Sequence, residues 1–429
     1  MIAQPLIQPA VWTDATVRLL LRNLFDVAVA SADPAYMLAQ HLPFRPSGRC
    51  IVVGAGKAAA AMAAAVDAAW PDVDLSGVVV VPYGYGMPAG RIAVREASHP
   101  VPDAGSEAAA REILAAVAGL EPHDLVLVLI SGGGSSVMAL PAAGVSLADK
   151  QVVSRLMLSS GLDIRTMNVV RRRLSGIKGG KLLAAAQPAR VVTLGISDIP
   201  GDDVAAIASG PSVPDPTSDV DIGHVVALLG DRLPEVVRAK LLAPVSPAHR
   251  IEPYDFRLIG KPAASLKAAA DAALALGIQP VLLGDDLEGD SQQLGREMAA
   301  LAKRGVSAPT VLLSGGETTV ALSGGVFGRG GRNTEFALSL ACALDGAPGV
   351  WALAADTDGE DGASEAAGAL IAPDTIARST AAGLDAPAYL AGHDSATLFE
   401  RIGDLLVTGP TRTNVNDFRA VLILPSEGL

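Results

Sequence analysis

The chain has few aromatic residues, almost no cysteine and no cluster of basic residues of the kind nucleic acid requires. Only 3% of its 429 residues are aromatic and two are cysteines. Two thiols, Cys50 and Cys342, far apart and each bordering an apolar stretch, exclude a disulfide-stapled small fold and any C-x-x-C motif. They are expected as buried free thiols in a reducing compartment. The six histidines show no metal-ligand spacing, which removes zinc. The net charge of −12 is spread without an acidic tail, and no Lys/Arg run forms the footprint that a phosphate backbone needs, so nucleic acid is not an expected partner. No stretch long enough to span a bilayer lacks polar interruption, and no basic region followed by an apolar one opens the chain. The expectation is a soluble cytoplasmic protein that does not meet a membrane. A G-x-S-x-G elbow and a Walker A loop are also missing.

Alanine, glycine and short β-rich runs fill the chain instead. Its length exceeds what one hydrophobic core usually serves, so two domains are expected. Runs such as CIVVGAG (50–56), GVVVVP (77–82), LVLVLIS (125–131) and RVVTLGIS (190–197) are continuous and apolar, as in strands covered on both faces of a mostly parallel sheet. Between them, residues 57–70, 106–120 and 146–161 have helix-forming composition, with Asp103 or Ser106 and Ser146 as N-caps. Proline and aspartate accumulate after Gly210, which puts a boundary near residue 250. The strand–helix rhythm restarts beyond it with FRLIG, PVLLGDD, TVLLSGG, VWALAAD, LLVTG and AVLILP. The fold class is therefore two α/β domains, a larger Rossmann-like one over 1–250 and a second over 251–429.

Two strand-terminal turns nearly repeat each other, ISGGGSSV (130–137) and LSGGETTV (313–320). Glycine after a strand lets the backbone approach a ligand and exposes amides suited to phosphate or carboxylate. A tight turn alone would explain one such loop; two, each followed by paired hydroxyls, favour binding. The candidates are Ser131, Gly132, Gly133, Gly134 and Ser135 in the first turn, and Ser314, Gly315 and Gly316 in the second. Glu317 adds a carboxylate for a cation, a nucleotide hydroxyl or a substrate hydroxyl.

Gly54, Gly56 and Ala59 make a G-x-G-x-x-A pattern, which raises a nicotinamide dinucleotide. Against it, Lys57 sits inside the turn, and the ribose-binding candidates Asp72 and Asp74 precede the next strand instead of ending it. Lys57 at a helix start suits an anion. TMNVVRRRLSGIKGGKL (166–182) concentrates Arg171, Arg172, Arg173, Lys178 and Lys181 among glycines, which argues for a loop aiming charge at an anionic substrate over a solvated face. Arg329 and Arg332 flank glycines before a helix, as suits transferring phosphate or a substrate carboxylate. GISDIPGDD (195–203), with Asp198, and AADTDGEDG (354–362), with Asp356, Asp358 and Asp361, end strands where Mg²⁺ could be held jointly with ATP phosphates. The alternative for the second cluster is a set of Asp-Gly turns with no metal.

Together VGAGKAA, SGGGSS, NVVRRRLSGIKGGKL, SDIPGDDVAAIASGPSVPDPT, LLSGGETTV, GRGGRNTEFAL, AADTDGEDG and TGPTRTNVND resemble the glycerate 2-kinase family of the two-domain type with a C-terminal MOFRL domain. Many of its members carry the older label hydroxypyruvate reductase. The resemblance covers nearly the whole chain. It implies ATP-dependent phosphorylation of D-glycerate at the 2-hydroxyl with a divalent cation, Mg²⁺ or another, and it implicates Lys57 and either Arg332 or Arg329 in catalysis. Asn416, in the last motif, joins the substrate or phosphate site with Arg171 and Lys178. Asp198 and Glu317 are the acids that could accept the hydroxyl proton. The site is expected in the cleft between domains of a monomer or homodimer. Two departures stand out: Arg412, where a small residue is usual, and Lys261-Pro262, where Asn and Arg are more usual. An NAD(P)H-linked hydroxypyruvate reductase is the rival enzyme.

Overall fold

The computed structural model describes residues 11–243, 254–322 and 327–425. Two compact units emerge, one of Asp33–Ser197 and Asp202–Ile259, the other of Met1–Ala32, Asp198–Gly201 and Gly260–Leu429.

In the first unit, β1 (Cys50–Ala55), β2 (Leu75–Pro82), β3 (Ile92–Ala97), β4 (Leu125–Ile130), β5 (Arg190–Ile196) and β6 (Asp255–Gly260) form a sheet in the order β3-β2-β1-β4-β5-β6. The pairs from β3 through β5 are parallel. Every residue of β1 and β4 is buried, as continuous Val, Ile and Leu runs require when helices cover both faces. Each such side chain contributes about 1.5–3 kcal/mol on burial. The backbones approach so closely at Gly77 that a Cβ there would lie 1.8 Å from the Val52 carbonyl oxygen. The helix Ala104–Ala116 starts on an Asp103/Ser106 capping box and Leu147–Leu158 on a Ser146/Asp149 box.

The second unit holds β7 (Gln279–Gly284), β8 (Gly289–Asp290), β9 (Thr310–Ser314), β10 (Thr318–Thr319), β11 (Val350–Asp356), β12 (Gly368–Ile371), β13 (Leu405–Leu406) and β14 (Asp417–Ile423). Its main sheet runs β13-β12-β11-β14-β9-β7, while β8 and β10 make a small parallel pair. Only β7 and β9 pair in parallel; β9–β14, β14–β11, β11–β12 and β12–β13 are antiparallel. One face packs the helices Asp14–Ser31 and Pro262–Ala275 through Leu21, Phe25, Leu266, Trp351 and Phe418. The other packs Ser291–Ala302 and Arg332–Leu344 through Met298, Phe336 and Leu340.

The expected boundary near residue 250 lies outside the described residues. The compact units nonetheless differ from a 1–250/251–429 split. The helix Asp14–Ser31 buries its apolar stripe in the second unit's core, and FRLIG, expected to open the second domain, is β6 at the edge of the first sheet. A strand pattern fixes the strand but not the sheet it joins. Cys50 is buried and free, whereas Cys342, also free, is only half-buried; burial pushes their thiols up to about 12 and about 11. No helix among the described residues is long and apolar enough to cross a membrane.

Candidate functional site

In the first unit the GAGK turn spends its amides internally. Gly56 N donates to the Val80 oxygen (3.0 Å), Lys57 N to the Gly132 oxygen (2.8 Å) and Ala58 N to Ser131 Oγ (2.9 Å). Gly56 has φ 125°, and a Cβ there would lie 2.4 Å from the Ser131 oxygen, so only glycine fits. The turn is thereby clamped to the SGGG loop. Lys57 is half-buried, with Nζ 5.9 Å from the centroid of the Tyr85 ring.

The SGGG loop leaves the amides of Gly132 and Gly133 without a protein acceptor among the described residues. Behind it converge SGIKGGK and the stretch Ala208, Ser209 and Gly210, whose φ angles of 49°, 61° and 60° put three successive residues in the left-handed region. Such strain costs of order 1–3 kcal/mol at each non-glycine residue and persists only where surroundings enforce it. Here Ser209 Oγ shares hydrogen bonds with Ser135 Oγ (2.9 Å) and Asn168 Oδ1 (3.2 Å), while its carbonyl accepts Gly179 N. Lys178, almost wholly buried, donates to the Ser135 and Met138 oxygens (2.5 and 3.0 Å). Its ammonium braces the short helix Gly134–Val137 rather than lying open for a ligand. Arg171 has Asn168 Oδ1 (3.2 Å) as its hydrogen-bond partner among the described residues.

These cations repel one another. Burial pulls Lys178 well below its ordinary value, with Lys150, Arg171 and Lys181 adding to the effect. Burial likewise brings Lys150 down to about 8, assisted by Arg171 and Lys181. No carboxylate offsets the charge of Lys150, Lys178 or Arg171; Asp215 serves Lys181 and Arg172.

The second unit reverses this arrangement. Arg332, first residue of the helix Arg332–Leu344, donates Nε to Asp417 Oδ1 (2.8 Å), Nη2 to Asp356 Oδ2 (2.7 Å) and Nη1 to Glu317 Oε1 (3.2 Å). Burial opposes its charge, but Asp417, Asp356 and Glu317 outweigh it and hold the guanidinium well above its usual range. Arg419, fully buried, donates to Asp417 Oδ2 (2.5 Å) and to the Gly315 oxygen (2.8 Å), which ties the SGGE turn to β14. At Gly316 (φ 96°) a Cβ would lie 2.2 Å from the Leu287 backbone. Asn416 has φ 69°, and its Nδ2, Ser314 Oγ, Asn333 Oδ1 and Arg419 Nε are buried without hydrogen-bond partners among the described residues. Unsatisfied buried polar atoms on β9, on the Arg332–Leu344 helix and in or just before β14 are of the kind a ligand could complete.

Several expected roles change. Asp361 accepts Asn333 N (2.9 Å), Thr334 N and Thr334 Oγ1 (both 2.8 Å), so it holds the start of the Arg332–Leu344 helix, and burial raises its carboxyl above the ordinary value. Asp356 faces Arg332, and Asp358 accepts the Glu360 amide. Asp356, Asp358 and Asp361 therefore do not gather as a cage, and no group of three metal-capable side chains exists among the described residues. Arg329 pairs with exposed Glu400 instead of joining the Arg332 cluster. Asp198 accepts Asn414 Nδ2 (3.1 Å). Arg412 adopts φ 61°, a turn conformation.

A cavity of about 490 Å³ opens beside Arg332 and Glu317, walled by Val320, Leu322, Phe327 and His393. Sequence reasoning missed Lys150, Asn168, Asp417, Arg419, Glu335 and His393. Asp417 and Glu335 stood inside quoted motifs; Lys150 and His393 carried no local signal.

The family described as a domain of unknown function (DUF4147) matches residues 20–242, and the MOFRL family matches 310–417. A relative from Agrobacterium vitis, provisionally named hydroxypyruvate reductase, is 56% identical over 96% of this chain and 96% of its own. The D-glycerate 2-kinase of Thermotoga maritima is 37% identical, covering 92% of this chain and 96% of its own. A crystal structure of glycerate kinase from Thermotoga maritima superposes with a TM-score of 0.84 at 36% identity, over 96% of this chain and 100% of that one.

Proposed function

Since the chain belongs to the glycerate 2-kinase family, with its DUF4147 and MOFRL regions, we propose that it transfers the γ-phosphoryl group of ATP to the 2-hydroxyl of D-glycerate. The observation that carries this reading is the first unit's cluster of basic side chains, Lys150, Arg171 and Lys178, beside Gly132 and Gly133 amides with no protein acceptor among the described residues. Phosphoryl transfer asks for positioning and charge neutralisation more than covalent chemistry. In this reading Lys57 and Arg332 neutralise charge on the transferring group. Arg171 and the Ser131–Ser135 turn hold an anionic group, and Ser314, Gly315, Gly316 and Asn416 are the proposed binding residues of the second unit.

A divalent cation lowers the charge of the nucleotide phosphates when bound. The three aspartates do not fit a protein cage, so the proposed Mg²⁺ is one carried on the nucleotide, consistent with its preference for waters and one or two carboxylates. We further propose a cytoplasmic enzyme acting as a monomer or homodimer on a small-molecule substrate.

The reductase reading has a specific observation against it. A dinucleotide turn must present its amides to the pyrophosphate, whereas those of Gly56, Lys57 and Ala58 are consumed within the protein. Enzyme supplied with D-glycerate and Mg-ATP is expected to yield ADP and 2-phosphoglycerate, with no loss of nicotinamide absorbance in a parallel assay with hydroxypyruvate. NADH oxidation without ADP would reverse the assignment.

A further inference from the structure

The cavity beside Arg332 contains a pair of side chains that the reaction above leaves unused. Glu335, 2% exposed, lies one turn into the helix Arg332–Leu344. Its Oε1 accepts Gln292 Nε2 (2.7 Å) and lies 2.8 Å from His393 Nδ1. His393 lines the cavity with its side chain 20% exposed, and Phe327 packs edge-on to its ring at 5.7 Å. In the neutral imidazole, a proton on Nδ1 facing an ionised Glu335 leaves Nε2 with its lone pair. No hydrogen bond engages Nε2 among the described residues.

The placement is enforced. His393 has φ 50°, a left-handed conformation that a non-glycine residue holds only where its neighbours require it. Its amide donates to the Leu390 oxygen, and the next residue, Asp394, accepts Arg329 N (2.8 Å) and Thr397 Oγ1 (2.5 Å). The charged groups facing the imidazole are Glu335 directly, Glu317 and Arg332 around the cavity, and Asp394 next along the chain.

We propose that His393, oriented by Glu335, is the proton acceptor for the attacking hydroxyl, an inference that rests on the kinase reading. The substrate O–H proton passes to Nε2 as the oxygen bonds to the γ-phosphorus. The bond from that phosphorus to the bridging oxygen breaks, its electrons leave on ADP, and Glu335 stabilises the imidazolium. The acids read from the sequence are less suited: Glu317 is paired to Arg332, and Asp198 accepts Asn414.

Steady-state kinetics on the full chain with D-glycerate and Mg-ATP test this. Asparagine tolerates the left-handed region, so His393→Asn keeps the backbone while removing the base. The expected result is a kcat lower by on the order of 10², KM values within a few-fold, and loss of the acid limb of the wild-type pH profile. Glu335→Gln removes the carboxylate that orients the ring and is expected to lower kcat by roughly tenfold with KM values within a few-fold. Wild-type kcat with an unchanged profile in His393→Asn, or wild-type kcat in Glu335→Gln, would overturn the proposal. Wild-type enzyme that forms no ADP defeats the kinase reading itself, and this inference with it.

Discussion

Lys178 and Arg332 each lie beside a strand-terminal SGG turn, yet the charge around them is handled in opposite ways. Near Lys178, buried Lys150 and partly buried Arg171 and Lys181 crowd together with almost nothing negative to answer them. Around Arg332 three acids converge, and one of them, Asp417, also answers Arg419. In the first arrangement burial and like charge together weaken the hold of the lysines on their protons. In the second, each nitrogen of one guanidinium meets a carboxylate, which fixes its direction.

Breaking the second arrangement should have the largest effect. Asp417→Ala leaves Arg332 and fully buried Arg419 without their shared carboxylate, and is expected to cost about 3–5 kcal/mol in denaturant unfolding. A loss under about 1 kcal/mol would mean that water compensates these arginines and that the contrast is not real. Lys57→Ala is expected to lower turnover by on the order of 10² or more, read as ADP formation; wild-type turnover would remove Lys57 from the chemistry.

Lys150 sharpens the other side. Its folded value of about 8 lies below the ordinary 10.5, so between those values the unfolded chain binds more protons and stability rises with pH. Below about pH 8 the penalty of burying the charge is fully present. Lys150→Met is therefore expected to flatten the rise in thermal midpoint between pH 8 and 10.5, and to reduce the stabilisation that inorganic phosphate gives at pH 7. Equal phosphate stabilisation in both proteins would show that the cluster binds no anion. Smallest is Glu317→Gln, which removes an exposed partner of Arg332 and is expected to change stability by less than about 1 kcal/mol in the same unfolding assay.

Much of the first sheet was legible because its strands are continuous apolar runs: β1, β4 and β5 match their expected runs to within a residue. β3 was not, since Arg95 and Glu96 break the apolar run of IAVREA at the sheet edge. The second sheet's antiparallel order was hidden, because buried antiparallel strands read the same as parallel ones. At the sites, glycine turns and clustered basic residues announced themselves. Their partners did not: Lys150 sits in an ordinary amphipathic helix, and the link between His393 and Glu335 spans 58 positions. In the fold Asp361 holds the start of a helix, and a helix-capping aspartate and a metal-binding one look alike in sequence.

The helix Asp14–Ser31 has a consequence for how the protein is made. Its stripe of Leu21, Leu24 and Phe25 is completed by residues as late as Phe418, whose ring meets that of Phe25 at 5.9 Å. A ribosome adding roughly 5–20 residues per second needs on the order of 20 s or more to cover that interval. Over that interval the stripe is only partly covered, by Leu266, Ala269 and Ala273 of the helix Pro262–Ala275, until β14 is made.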